Sequence, residues 1–264
     1  MKILFPTFIL VLVILVISCG PTAEEKASTR LRHAQMLLEK NDTTSALLHL
    51  DSIPRLFPKA EYAVNAAKNL KGEVEFDLLH RKEALLDSLI LKIADLEKPF
   101  EKEKTEIDRF TQYIHKRQNF ARAWNRSFIQ VHLDERGEIY LSSNYHGKSW
   151  LNHTGLRVYD QGLDAKTEEI PVGNVDNHRS DFMDYVWEKV TYRDGKDNGV
   201  MEFIATNSAR NLKAVFLGKE YYYIVLESYD KQAVIDALAL SKALKQKRML
   251  ETEIQAIKKK LNIT

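Results

Sequence analysis

From residue 86 to residue 114, apolar positions recur alternately by three and four: Leu86, Leu89, Ile93, Leu96, Phe100, Glu103, Ile107, Phe110 and Ile114. Only Glu103 breaks the apolar run. Such a stripe is the seam of a coiled coil and predicts a long helix. Pro99 removes one backbone donor inside it, but the phase holds on both sides, which predicts a kink rather than a loop. A second seam lies near the C-terminus, with Leu240, Ala243, Lys247, Leu250, Ile254, Ile257 and Leu261, on a helix that Asp230 can cap and that runs from Lys231. Each stripe needs an apolar partner, and the other stripe is the nearest one. The expectation is an antiparallel hairpin. Placing Phe120 beside Asp230 makes paired residue numbers sum to about 350. That register brings Ile107 to Ala243, Phe100 to Leu250, Ile93 to Ile257 and Leu89 to Leu261.

Ahead of the first seam, Leu31, Ala34, Leu37 and Leu38 have helical spacing, and Thr22 with Glu25 fits a capping box that starts the helix near Ala23. Asn41-Asp42 breaks it. A second helix is expected from Thr43 to Ile53, ended by Pro54 and Pro58, and a third from Lys59. Between the seams the period changes to two. Ile129, Val131 and Leu133 alternate with Phe128, Gln130 and His132, and a turn at Asp134 to Gly137 returns the chain through Ile139 and Leu141. Further strands are expected at Leu156 to Tyr159, Tyr185 to Tyr192, Val200 to Ala205, Leu212 to Leu217 and Tyr221 to Glu227. Eight of the ten glycines fall between 137 and 218, where strand turns need them. The sum is an α+β fold: an N-terminal helical hairpin, a long antiparallel coiled-coil hairpin, and a mostly antiparallel β domain of about six strands inserted between its two helices. The expected divisions are 1–19, 20–71 for the first hairpin, 72–123 for the first coiled-coil helix, 124–229 for the β domain at the tip and 230–264 for the second helix.

Charge narrows the function. With 39 basic and 37 acidic residues the chain is nearly neutral, which argues against nucleic acid as a partner. Cys19 is the only cysteine, so no internal disulfide can form and packing alone must hold the fold.

Residues 3 to 18 carry no charge, and Lys2 precedes them. A positive start, an apolar stretch shorter than a bilayer span and a small residue before the cut make a secretory signal. The stretch ends in Val16-Ile17-Ser18-Cys19, which resembles the lipobox of bacterial lipoproteins. The resemblance implies cleavage before Cys19, acylation of its thiol and new amino terminus, and attachment to a membrane of the cell envelope. Several acyl chains on one residue hold a protein far more firmly than a single chain. Glu24 and Glu25 lie near the anchor, farther along than the acidic export signal of some such lipoproteins, so periplasmic and surface display are both open. Ala34, Leu37, Ala46, Leu50 and Pro58 stand where a tetratricopeptide hairpin has small or apolar residues and a closing proline, although Arg30 stands where that repeat has an aromatic. The chain as a whole resembles Bacteroidetes lipoproteins that combine helical hairpins with a small β domain, a resemblance that implies no particular activity.

No nucleophile elbow, zinc-protease motif or phosphate loop occurs. The stretch Asn144 to His153 carries the candidate chemistry. Tyr145 and Trp150, with His146 beside them, suit stacking on a sugar ring, although a large aromatic also serves to anchor a loop. His146, His153 and Asp181 form the weaker candidate, a three-ligand metal site of a hydrolase. The favoured expectation is a non-enzymatic interaction or scaffold protein of the envelope with no cofactor and no metal, bound to the membrane through Cys19 and to another envelope protein through its β domain. Glycan binding is the alternative.

Overall fold

The computed structural model describes residues 21–106, 108–118 and 125–263. Cys19, Ile107, Phe120 and Trp124 lie outside them, and so do the lipobox and two members of the expected hairpin register. Among the described residues no helix is long and apolar enough to cross a membrane. The chain divides into two compact units, residues 84–253 and residues 21–83 with 254–263.

The smaller unit is helical. Helix α1 (Ala23–Glu39) opens with the capping box expected: the Thr22 N–H donates to Glu25 Oε2 at 2.7 Å and the Glu25 N–H to Thr22 Oγ1 at 3.2 Å. Asn41 at φ 60° ends the turn, as its tolerance of the left-handed region allows. Helix α2 (Thr43–Leu56) is capped by the Asp42 carboxylate and carries Pro54 inside it, so Pro54 does not end it as expected. In its last turn a proline loses one backbone bond while the chain holds helical φ. Ala27, Ala34, Leu50, Ile53, Ala60, Ala63 and Ala67 form the core, and its small side chains let the helices approach closely. Helix α3 (Glu61–Leu96) begins in this unit. Lys258 of the last helix, α5 (Ser228–Leu261), reaches Glu83 at 2.9 Å, and Lys260 reaches Glu75 at 4.0 Å. The expected register is thereby corrected, because it would have set Lys258 near residue 92.

The larger unit differs from expectation where the first seam ran. Helix α3 ends at Leu96, and β1 (Phe100–Glu103) and β2 (Gln112–His115) follow as an antiparallel pair. The helix expected through 72–123 therefore stops short of Pro99, as helices usually do before a proline. The three-and-four spacing beyond it was coincidence: Phe100, Tyr113 and His115 are buried as strand residues. The remaining strands are β3 (Phe128–Asp134), β4 (Ile139–Gly147), β5 (Gly155–Asp160), β6 (Leu163–Lys166), β7 (Asn177–Phe182), β8 (Tyr185–Tyr192), β9 (Lys213–Leu217) and β10 (Tyr221–Val225). They form two antiparallel sheets, ordered β1-β2-β3-β4-β8-β7 and β10-β9-β5-β6. The expected strand at 200–205 is instead a short helix, α4 (Val200–Thr206), which buries Val200, Met201 and Ile204 at helical spacing. A short apolar run cannot be assigned by period alone.

One core joins these parts. It contains Ile129, Val131, Leu133, Leu141, Val190 and Tyr192 from one face of the six-stranded sheet, Leu156, Val158 and Phe216 from the other sheet, and the stripe Ala233, Ala237, Leu240, Leu244 of α5. The hairpin turn at Gly137 rests on α5, with Ser241 Oγ donating to Gly137 O at 2.6 Å. A Cβ at Gly137 would lie 2.8 Å from Ser241 O, and its φ is +83°, so glycine is needed there twice over.

Candidate functional site

The six-stranded sheet fixes which side chains point where. Along β4 the side chains alternate between the core face and the open face. Tyr145 points inward and is 7% exposed; its hydroxyl donates to Ser149 O at 3.2 Å and its ring meets Tyr222 edge-on at 5.1 Å. Gly147 makes room for it, since a Cβ there would stand 2.0 Å from the Tyr145 hydroxyl. His146 points the other way and stacks on Tyr185 at 4.9 Å, with Trp187 also at 4.9 Å. Trp150 lies beyond the strand, 39% exposed, under the Arg179 guanidinium at 5.2 Å. The three expected ligand contacts therefore do not share one surface: Tyr145, though turned to the core, borders the cleft described below, while His146 and Trp150 do not line it. The reason is the period of two, which separates Tyr145 from His146.

The expected metal ligands also part company. His153 is buried on the core side, and no group of three His, Cys, Asp or Glu side chains able to hold a metal occurs among the described residues. His153 belongs to a different arrangement. Its Nε2 is 2.9 Å from Ser143 Oγ, its Nδ1 is 2.7 Å from Glu188 Oε2, and Ser143 Oγ is 2.9 Å from the Tyr192 hydroxyl. Serine, imidazole and carboxylate in this order are the parts of an activated nucleophile. Here Ser143 and His153 are 0% exposed and Glu188 1%, so no substrate reaches the hydroxyl.

This chain of hydrogen bonds has a structural use. The Glu188 carboxylate accepts the Asn152 N–H at 2.7 Å and the His153 N–H at 2.9 Å as well as the imidazole. Burial alone would push Glu188 up, but the bonds from His153 and from the two backbone N–H groups outweigh it and hold the carboxyl below its usual range. Burial pushes the Tyr192 hydroxyl upward. The segment after β4 is thus tied to β8 by a carboxylate rather than by a ladder. The sequence held one sign of this: an acid at an inward position of β8, between Val186 and Val190, requires a partner inside.

The opposite face of the same sheet is open to a cleft of about 440 Å³. Residues directly opposite in antiparallel strands share a face, so Phe128, Asn144, Lys189 and His178 form one row across β3, β4, β8 and β7. Phe128, Gln130, Asn144, Trp187 and Lys189 line the cleft, with Arg126 and Glu103 also at its wall. Trp187 is held from one side by the rings of His146 and Tyr185. Reading motifs did not find this site. Its residues come from several strands and carry no shared spacing. Only the alternation of Phe128, Gln130 and His132 opposite the apolar positions of β3 marked the face as distinct. A second depression, about 410 Å³, lies beside the buried His115 and its partner Asp236, whose atoms are 3.1 Å apart.

Comparison with family models, with curated proteins and with solved structures finds no match to this chain.

Proposed function

We propose that this chain is a lipid-anchored binding protein of the bacterial cell envelope, held to the membrane through Cys19 and acting by interaction rather than by catalysis. The cleft on the open sheet face is the observation that carries the reading. It combines flat apolar walls, Phe128 and Trp187, with the amides of Asn144 and Gln130, which is the usual make-up of a site that orients a ligand. The sealed Ser143–His153–Glu188 chain supports a structural role for the most catalyst-like group of residues. The lipobox-like Val16 to Cys19 supports the anchor. The ion pairs of Lys258 with Glu83 and Lys260 with Glu75 support antiparallel pairing of α3 with α5 in a hairpin, because the later residue on one helix meets the earlier on the other. The small-residue packing of α1 and α2 suits the tetratricopeptide-like reading of that segment.

Another envelope protein is the favoured partner. A glycan is the second reading, favoured by the Trp187 ring, which His146 and Tyr185 hold in place beside hydrogen-bonding amides. Crosslinking pull-down from intact cells tests the reading. The wild-type chain is expected to capture a partner that Trp187→Ala loses, with membrane attachment unchanged. Equal capture by both would remove the cleft from the account.

A further inference from the structure

The cleft holds a positive charge that nothing in the described residues answers. Lys189 lines it, half-buried on β8, with no ion pair and no hydrogen bond to its ammonium among the described residues. Its direct cross-strand neighbours are Asn144 and His178, neither of them acidic. The adjacent Glu188 is turned to the core and fully engaged there. None of the residues outside the described set is an aspartate or a glutamate. Burial, and then the like charge of Arg193, push the Lys189 ammonium below its usual range. A cation withdrawn from water without a counter-charge is costly, and proteins ordinarily supply one. Arg126, at the same cleft, also has no ion pair among the described residues. Two acids border the cleft: Glu188, whose carboxylate is taken up by Asn152 and His153, and Glu103, exposed on β1, with β2 and β3 between it and the β4–β8 pair that carries Asn144 and Lys189.

We infer that the cleft binds a small organic anion that sets its negative group on Lys189 and its flat ring or sugar face against Trp187 and Phe128. The inference rests on the reading of this cleft as a binding site and deepens the second reading given there: the occupant is a small acidic ring compound or sugar rather than the protein partner. Asn144 and Gln130 supply neutral hydrogen bonds to the ring substituents, and Arg126 adds to the positive field at the opening. The rings of His146 and Tyr185 fix Trp187 before the ligand arrives, so little ordering remains to oppose binding. A carboxylate, sulfate or phosphate on a ring would satisfy the same contacts.

The test uses the full chain in detergent with its three tryptophans labelled at the indole nitrogen, and Trp187→Phe to assign the Trp187 resonance. Glucuronate and benzoate are titrated beside their neutral counterparts, glucose and benzyl alcohol. The acids are expected to shift the Trp187 indole signal saturably and the neutral molecules to leave it in place. Lys189→Gln is expected to weaken the acids by about tenfold or more, the loss of a charge-assisted hydrogen bond. Lys148→Gln, on an exposed position, is expected to change nothing. The Trp150 signal shows in the same spectra whether each variant is folded. If glucose and benzyl alcohol bind as well as the acids, or if Lys189→Gln binds the acids undiminished, the anion is wrong while the cleft still binds. If no probe moves Trp187, both the anion and the binding site are wrong.

Discussion

Replacing Glu188 measures how much of the larger unit hangs on one buried carboxylate. In Glu188→Ala three donors lose their acceptor together: the N–H groups of Asn152 and His153 and the His153 imidazole. A buried donor left unpaired costs about 1–3 kcal/mol. Because one relaxation serves all three, the total is expected near 4–6 kcal/mol rather than at the sum. Glu188→Gln keeps the volume. Its amide oxygen can keep one backbone N–H, and its NH2 can donate to the imidazole if His153 moves its proton to Nε2. Ser143 then accepts that proton and turns its own toward Tyr192, with which it is already bonded. One backbone N–H is left facing an NH2, so Glu188→Gln should cost about 1–3 kcal/mol. Urea unfolding followed by tryptophan fluorescence reads both, with Asp164→Ala as a control because its pair with Arg157 is exposed and should contribute at most about 1 kcal/mol. The carboxyl is held below its usual range, so its stabilisation is present above the unfolded pKa and is lost as pH falls through the folded one. Acid should therefore narrow the gap between wild type and Glu188→Gln. A cost for Glu188→Ala below about 1 kcal/mol, or a larger cost for Gln than for Ala, would refute the reasoning.

Cys19→Ser is expected to leave the chain uncut or free of the membrane; a processed form that still fractionates with membranes would remove the anchor. Gly147→Ala should destabilise the β4–Trp150 turn, because its Cβ would meet the Tyr145 hydroxyl at 2.0 Å, and a loss of about 1–3 kcal/mol in urea unfolding is expected. Burial raises the Tyr192 hydroxyl, so its share of stability is intact below the unfolded pKa and falls away as pH rises above it. Tyr192→Phe should flatten that alkaline slope, and an unchanged slope would argue against the burial.

How much of this the sequence disclosed differs from element to element. The Thr22–Glu25 cap and the break at Asn41 were legible because each depends on neighbours a few residues apart. The β3–β4 hairpin and β8 were legible for the same reason, through strict alternation. The first seam misled because three-and-four spacing persisted by chance past Pro99, where Phe100 and His115 pair across a hairpin instead. Strand β7 was invisible, since Asn177 to Phe182 is polar and gains its place only by pairing with β8. The cleft shows the same limit more sharply. Phe128, Asn144 and Lys189 become neighbours only when β3, β4 and β8 are set in register. Tyr145 was a mixed case: it stood out as an aromatic in a polar stretch, the strand's period turned its ring toward the core, and it still borders the cleft.

The central claim is that the open face of the six-stranded sheet is where this protein meets its ligand. Placing a photoreactive residue at Gln130, inside the cleft, and another at Leu48, exposed on α2, and irradiating intact cells addresses it directly. The account predicts an adduct from position 130 that Trp187→Ala removes, and none of comparable yield from position 48. An adduct from position 48 with none from position 130 would contradict it.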